Sequence, residues 1–340
     1  MVSTSSSTET SSTTETGSTA GTGSTTGSGR VVVLAGGLSH ERDVSLRSGR
    51  RIAEALRDAG VEVEERDVDA TLVPSLRHDP PACVLPVLHG ESGEDGAIRE
   101  VLELLGVPYV GSRPDACRAA FDKPLAKAVV AAAGLHTPRG VALPHETFRE
   151  LGASAVMDSI VATIGLPLIV KPARGGSALG CSAVRSAAAL PGAMVGAFAY
   201  ADTALVERLV EGTEVAVPVV DTGAGPRALP VVSITPDDGL YDYSARYTAG
   251  STEFEVPAKL SDDVAAECAR VAVTAHTALG LRDLSRSDLI VDAEGTVWFL
   301  EVNVAPGLTE TSTVPLAVTA AGLDLGELAH DLVRAAVARS

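Results

Sequence analysis

Three side chains near the end of the chain have the types and spacing of a metal site. Asp288 interrupts the apolar run LSRSDLIV, and Glu301 and Asn303 stand two residues apart in VWFLEVN, the next run with strand character. Alternation along a strand puts residues two apart on one face. Three hard oxygen donors on neighbouring strands suit Mg²⁺, which keeps further positions for water and phosphate. Charged groups inside buried strands are costly unless paired, so ordinary packing is the weaker explanation. Arg286, two residues before Asp288, projects onto the same face, where it stabilises negative charge or pairs with a carboxylate.

A second group suits phosphate. Lys171 leaves the run LPLIVKP and is followed by ARGGSALG (173–180), whose glycines let backbone N–H groups close over phosphate oxygens while the lysine neutralises charge. The Walker pattern is absent, and Gly36-Gly37 lacks the G-x-G-x-x-G spacing of a dinucleotide turn. HGESGEDG (89–96) combines N–H groups that favour an anion with Glu94 and Asp95, which favour a cation. One loop attracting both signs suits a zwitterion such as an amino acid; an acidic helix cap with a histidine on its edge is the plainer alternative. Glu41, in SHERDVS, can hold an ammonium group or stabilise the helix that follows. The segment from Pro306 to Ser312 starts a helix whose N–H groups and hydroxyls can bind a carboxylate, with capping by Thr309 as the ordinary reading. YDYSARY (241–247) places three of the five tyrosines in one loop, which can close over ligands and exclude water.

These groups need a scaffold, and the pattern supplies one. Apolar runs at 31–35, 61–68 and 82–90 alternate with helical patterns at 44–59 and 97–105, which implies right-handed crossovers and a parallel sheet with ligands beyond the strand C-termini. Helices follow at 122–133 and 146–163, then strands at 166–172 and 181–185 joined by the glycine-rich turn as a hairpin, a helix at 187–199 and a strand at 203–210. Strands at 213–220 and 227–234, a polar loop at 236–253, a helix at 262–279, paired strands at 284–292 and 296–303 and terminal helices complete the chain. Residues 1–29 are almost entirely Ser, Thr and Gly and read as a disordered tail without the features of a secretory leader.

Composition sets the boundaries. The 340 residues include 27 basic and 44 acidic side chains, a net charge of −17, which argues against holding nucleic acid or an anionic membrane by bulk attraction. Any phosphate site must therefore be local. Only four residues are lysine, Lys123, Lys127, Lys171 and Lys259, so each needs an explanation. The four cysteines are widely separated, without a disulfide framework or zinc spacing, and no apolar run reaches the roughly 18 residues that span a bilayer.

From Val31 to the C-terminus the blocks GGLSHERDVSLRSG, HGESGEDG, FDK, IVKPARGGSALG, VERLVEGTE, YDYSARY, SRSD and LEVNVAPGLTETS occur in the order of the D-alanine–D-alanine ligase family of the ATP-grasp superfamily, which the chain resembles. The resemblance implies an α/β protein, α+β in its centre, with three domains after the tail. These are an N-terminal Rossmann-like parallel-sheet domain at 30–115, a central ATP-grasp subdomain at 116–212 and a C-terminal catalytic ATP-grasp domain at 213–340, with ATP between the last two. It assigns Lys123, Lys171 and Ser177 to ATP, Glu207 and Leu209 to the adenine hinge, Glu214 to the ribose, and Asp288, Glu301 and Asn303 to Mg²⁺ or Mn²⁺. Glu41 takes the ammonium of the first D-alanine, with Ser177 and Tyr247 joining it to fasten the closing loop, and His89 and Glu94 line the amino-acid site. Arg286 and the Gly307 N–H stabilise the tetrahedral intermediate, while Ser312, followed by Thr313, takes the second substrate's carboxylate.

The implied reaction is ATP-dependent ligation of two D-alanines through a D-alanyl phosphate, for peptidoglycan precursors. The implied setting is cytoplasmic, with small-molecule substrates only, no nucleic acid or membrane, and a homodimer by analogy. Ala178, Arg208, Arg246 and Thr313 depart from the family pattern. Thr313 motivates an alternative, a sister ligase whose acceptor is D-serine, D-lactate or an amino acid of a specialised pathway, and Ala178 a further one, a nucleotide-binding protein without ligase activity.

Overall fold

The computed structural model describes residues 29–236 and 252–340. The tail and the tyrosine loop carrying Tyr247 lie outside the described residues.

Strand β1 (Val31–Leu34) is followed by α1 (Arg42–Asp58), β2 (Val63–Arg66), α2 (Leu72–His78), β3 (Cys83–Pro86), the short α3 (Glu91–Glu94) and α4 (Ala97–Leu104). The strands pair in parallel in the order β2-β1-β3. The uninterrupted VVVL of β1 is explained by cover on both faces, since Val31 and Val33 enter one hydrophobic cluster and Val32 and Leu34 another. Helix α2 is absent from the sequence expectation because Pro74 reads as a breaker; it sits in the first turn, where its missing N–H costs nothing.

Helices α5 (Pro114–Phe121) and α6 (Lys123–Ala132) lead to a four-stranded sheet of β4 (Gly140–Pro144), β5 (Leu168–Pro172), β6 (Ser182–Val184) and β7 (Thr203–Arg208), antiparallel in the order β4-β7-β5-β6. The expected hairpin around the glycine-rich turn is the β5–β6 pair. The single helix expected at 146–163 is broken at Gly152 into α7 (His145–Leu151) and α8 (Ala153–Ile164), and with α9 (Leu190–Phe198) these helices cover one face of the sheet.

The last sheet comprises β8 (Thr213–Val220), β9 (Arg227–Ala228), β10 (Val232–Pro236), β11 (Thr252–Glu255), β12 (Leu284–Val291) and β13 (Val297–Asn303), ordered β11-β10-β8-β12-β13 with β9 beside β8. The strand expected at 227–234 is thus two pieces. Helix α10 (Asp262–Ala278) packs on this sheet together with α5 and α6. The terminal helices α11 (Thr313–Ala320) and α12 (Leu325–Ala338) share a cluster with β1, β3 and α1, so the end of the chain completes the first sheet's cover. Among the described residues no helix is long and apolar enough to cross a membrane.

Candidate active site

Between the four-stranded and six-stranded sheets lies a cleft that opens to solvent. Lys171, Leu179, Glu207 and Leu209 line it from one side, and Glu214, Asp288, Leu300 and Glu301 from the other. The lining thus mixes aliphatic side chains with charged ones.

Those charges are placed by local structure. Asp122 caps α6 by accepting the Leu125 N–H at 3.1 Å, which makes Lys123 the first helical residue. A lysine there opposes the helix dipole. It is held by Glu301 at 3.6 Å and by donating to the Gly175 carbonyl at 2.6 Å, which ties the glycine-rich turn to α6. In that turn Ser177 and Ala178 are both left-handed, φ 53° each, a conformation that non-glycine residues adopt at a cost of about 1–2 kcal/mol.

Lys171 is buried beside Glu207, and so is Lys127, a residue to which the sequence analysis gave no role. Lys127 Nζ lies 2.8 Å from Glu207 Oε1 and Lys171 Nζ 3.1 Å from Oε2. Burial and the neighbouring Lys171 bring the Lys127 amine down to about 8. Burial also opposes the charge of Lys171, yet Glu207 and Glu301 together hold its pKa above the ordinary lysine value. The Glu207 carboxylate, expected at the adenine hinge, is therefore occupied by two ammonium groups. A glycine lies across from it because a Cβ at Gly140 would come within 2.7 Å of Glu207 Cγ. The Leu209 N–H is likewise engaged, donating to the Pro167 carbonyl at 3.0 Å, which leaves its side chain to face the cleft. A signal for Lys127 was present, since it stands four residues after Lys123 on one helix in a chain with few lysines.

Asp288 and Glu301 sit directly opposite each other on β12 and β13, next to a bulge at Asp288–Leu289. That bulge decides the site. Val297 and Phe299 point into the core, and strict alternation would send Glu301 after them. The extra residue shifts the phase, so Val302 takes the core position while Leu300 and Glu301 both line the cleft. Arg286 holds Asp288 with two bonds, 2.6 and 2.8 Å, and Asn303 Oδ1 accepts the Ala305 N–H at 2.7 Å. Among the described residues no three His, Cys, Asp or Glu side chains form a metal-ligating group. Two carboxylates in register and an amide two residues along nevertheless fit a hard divalent cation by donor type.

On the opposite rim, Ser177 donates to the Glu41 carboxylate, joining the start of α1 to the glycine-rich turn. Glu94 is buried and accepts the Gly90 N–H at 3.0 Å; burial first, and the Glu41 charge second, push its carboxyl up to about 8. Lys123 and Arg286 act on it through space in the opposite sense. His89 is buried, which keeps its pKa low, and both ring nitrogens have partners, Ala305 O at 2.9 Å and Ser48 Oγ at 3.2 Å.

The helix expected from Pro306 begins later, at Thr313, with Ser312 at the N-cap position. Ser312 Oγ turns back, accepting the Thr309 N–H at 3.1 Å and meeting Thr309 Oγ1 at 2.8 Å. The Thr313 hydroxyl is buried, without a hydrogen-bond partner among the described residues.

The pattern described as D-ala D-ala ligase C-terminus matches residues 129–334, and that described as D-ala D-ala ligase N-terminus matches residues 64–112. The chain belongs to the D-alanine–D-alanine ligase family. The D-alanine–D-alanine ligase of Bordetella petrii is 39% identical over 310 residues, covering 91% of this chain and 93% of that one, and the enzyme of Anaeromyxobacter dehalogenans strain 2CP-1 is 38% identical, covering 92% and 98%. Among solved structures, the VanG D-Ala:D-Ser ligase of Enterococcus faecalis superposes with a TM-score of 0.77 at 26% identity, covering 90% of this chain and 98% of that chain. The Bacillus anthracis D-alanine–D-alanine ligase complexed with ATP gives 0.75 at 26%, covering 92% and 98%. The ATP-grasp architecture of this ligase family, with a parallel three-stranded sheet at the N-terminus, is the one expected from the sequence, and the family is one of ATP-dependent ligases.

Proposed function

We propose that the protein joins two D-alanine molecules at the expense of ATP, supplying D-alanyl-D-alanine for peptidoglycan precursors in the cytoplasm. The observation that carries this reading is the cleft between two sheets in which Lys123, Lys171, Asp288 and Glu301 face one another in a chain of this family. Lys123 and Lys171 hold ATP phosphates, Leu209 packs on the base and Glu214 takes the ribose. A divalent cation held by Asp288, Glu301 and Asn303 would neutralise phosphate charge.

Glu41 receives the ammonium of the first D-alanine, whose carboxylate oxygen attacks the γ-phosphoryl group and displaces ADP. The product, D-alanyl phosphate, has a far better leaving group than a free carboxylate. The neutral amine of the second D-alanine, oriented through its carboxylate at Ser312, then attacks the carbonyl carbon. The resulting oxyanion is stabilised by Arg286 and the Gly307 N–H. Collapse expels phosphate, and the amine loses a proton to complete the amide. Water has to be excluded, since it would hydrolyse the acyl phosphate, and the loop containing Tyr247 is assigned the role of lid. Residues 30–115, 116–212 and 213–340 are assigned as the three domains, and a homodimer is assigned by analogy.

Purified protein given ATP, Mg²⁺ and D-alanine is expected to release phosphate and D-alanyl-D-alanine in equal amounts. Absence of both products from neutral to alkaline pH refutes the proposal.

A further inference from the structure

Ser48 is a fully buried serine on α1, outside the nucleotide cleft, and no role falls to it in the reaction described above. Its hydroxyl oxygen accepts the Leu308 N–H at 3.1 Å and contacts His89 Nε2 at 3.2 Å. The other ring nitrogen of His89, Nδ1, lies 2.9 Å from the Ala305 carbonyl. A carbonyl only accepts, so Nδ1 carries the proton. Burial keeps the ring neutral, which leaves Nε2 bare and able only to accept. The Ser48 O–H is therefore the donor to Nε2. Every proton in this chain has one place: His89 Nδ1–H to Ala305 O, Ser48 O–H to His89 Nε2, and Leu308 N–H to Ser48 Oγ.

The two ends of that chain, Ala305 and Leu308, bracket Pro306 and Gly307. The turn is also tight on its other side, because a Cβ at Gly307 would lie 2.8 Å from Ser312 Oγ. We propose that Ser48 is a positioning residue that, with His89, fixes the Ala305–Leu308 turn and thereby aims the Gly307 N–H at the reacting carbonyl and the Ser312 hydroxyl at the second substrate's carboxylate. This rests on the reading of Gly307 and Ser312 given under the proposed function. The clamp comes from α1 and the loop after β3 and grips the segment after β13, so the first sheet's elements set the geometry of a catalytic turn that the last sheet delivers.

A misplacement of about 1 Å can lower a rate by roughly a hundredfold. The test compares wild type, S48A, H89N and the double variant. Asparagine can still donate to the Ala305 carbonyl but has no atom at the Nε2 position. S48A and H89N are each expected to lower kcat for dipeptide formation about tenfold to a hundredfold. KM and Kd for ATP should stay within about twofold of wild type, which also reports that the cleft is folded, and the double variant should be no worse than the weaker single variant. A kcat for S48A within about twofold of wild type overturns the proposal, as do multiplicative losses in the double variant or an equal loss of ATP affinity. Imidazole ¹⁵N spectra give a second readout, independent of turnover: the His89 Nε2 signal, assigned by its absence in H89N, should move downfield in S48A. An unmoved signal overturns the proposal. Wild-type protein that makes no dipeptide overturns the functional reading and the catalytic part of this one, whereas a moved signal would still support the hydrogen-bonded clamp itself.

Discussion

The carboxylate of Glu207 is shared between two lysines, with Lys127 Nζ 2.8 Å from one oxygen and Lys171 Nζ 3.1 Å from the other, and it is almost completely buried. The cluster carries two positive charges and one negative, so the partners are not equivalent. Losing Lys127 leaves one complete ion pair, while losing the Glu207 charge leaves two buried ammonium groups facing each other. An uncompensated buried charge costs about 3–5 kcal/mol. E207Q is therefore expected to be more destabilising than K127M by an amount of that order in urea unfolding at pH 7. Equal loss in the two variants would count against the sharing of one carboxylate.

Glu94 provides a pH signature. Its carboxyl stands at about 8 in the folded protein against an ordinary value of 4.5, raised by burial and then by Glu41. Between those values the native state binds more protons than the unfolded chain, so stability present at low pH is lost as pH rises from 4.5 through about 8. The slope from this one group approaches roughly 1.4 kcal/mol per pH unit. E94Q keeps an oxygen for the Gly90 N–H and cannot ionise, so it should remove this component and unfold at higher denaturant than wild type above pH 8. Parallel stability–pH curves for the two proteins in the absence of ligands would contradict the assignment.

The sequence was informative where one local rule decided the outcome. VVVL of β1 and the small-residue turn between β5 and β6 each reported their own surroundings, and Glu41, Glu94, Lys123, Lys171, Asp288 and Glu301 do converge around one cleft and its rim. What stayed hidden depended on partners distant in the chain. Glu301 faces the cleft only because a bulge shifts the phase of β13, and strict alternation gives the opposite face. Edge strand β4, exposed or half-buried throughout, is not among the expected strands. The spacing of Lys127 from Lys123 singled it out, but its partner Glu207 comes from β7, far away in the chain. Helix α11 starts at Thr313 rather than near Pro306, and Ala305 and Leu308 before it are held by His89 and Ser48 from distant elements.

Glu41 and Ser177 are 136 residues apart in sequence, and their contact closes the rim where the proposed reading places the first D-alanine. Hydrogen bonds to charged groups contribute about 1.5–3 kcal/mol. E41Q is accordingly expected to raise KM for the first D-alanine by roughly tenfold to a hundredfold. ATP affinity, which depends on the other face of the glycine-rich turn and on the lysines, should stay near wild type by calorimetry. A parallel loss of ATP affinity would show that Glu41 acts on the fold of the turn instead of on the substrate ammonium.

If Asp288 holds a divalent cation as proposed, Arg286 and that cation would compete for the same oxygens. The guanidinium takes both oxygens of Asp288 at 2.6 and 2.8 Å, whereas Glu301, directly across the sheet, lies 3.6 Å from Lys123. On the proposed assignment, a cation bound at Asp288 would loosen the Arg286 pair and free the guanidinium for the oxyanion role proposed above. The two demands have opposite signs in a variant lacking the guanidinium. Without nucleotide, R286M should bind Mn²⁺ more tightly than wild type, by up to about tenfold if the pair contributes about 1.5 kcal/mol. Its kcat should fall by roughly a hundredfold to a thousandfold, as when one oxyanion donor is removed. D288N and E301Q should weaken Mn²⁺ binding instead, and a chelator should stop turnover in wild type until Mg²⁺ or Mn²⁺ is restored. Mn²⁺ binding followed by electron paramagnetic resonance, with turnover measured on the same samples, separates the effects. Weaker Mn²⁺ binding by R286M than by wild type would mean that the arginine supports the metal site and does not compete with it.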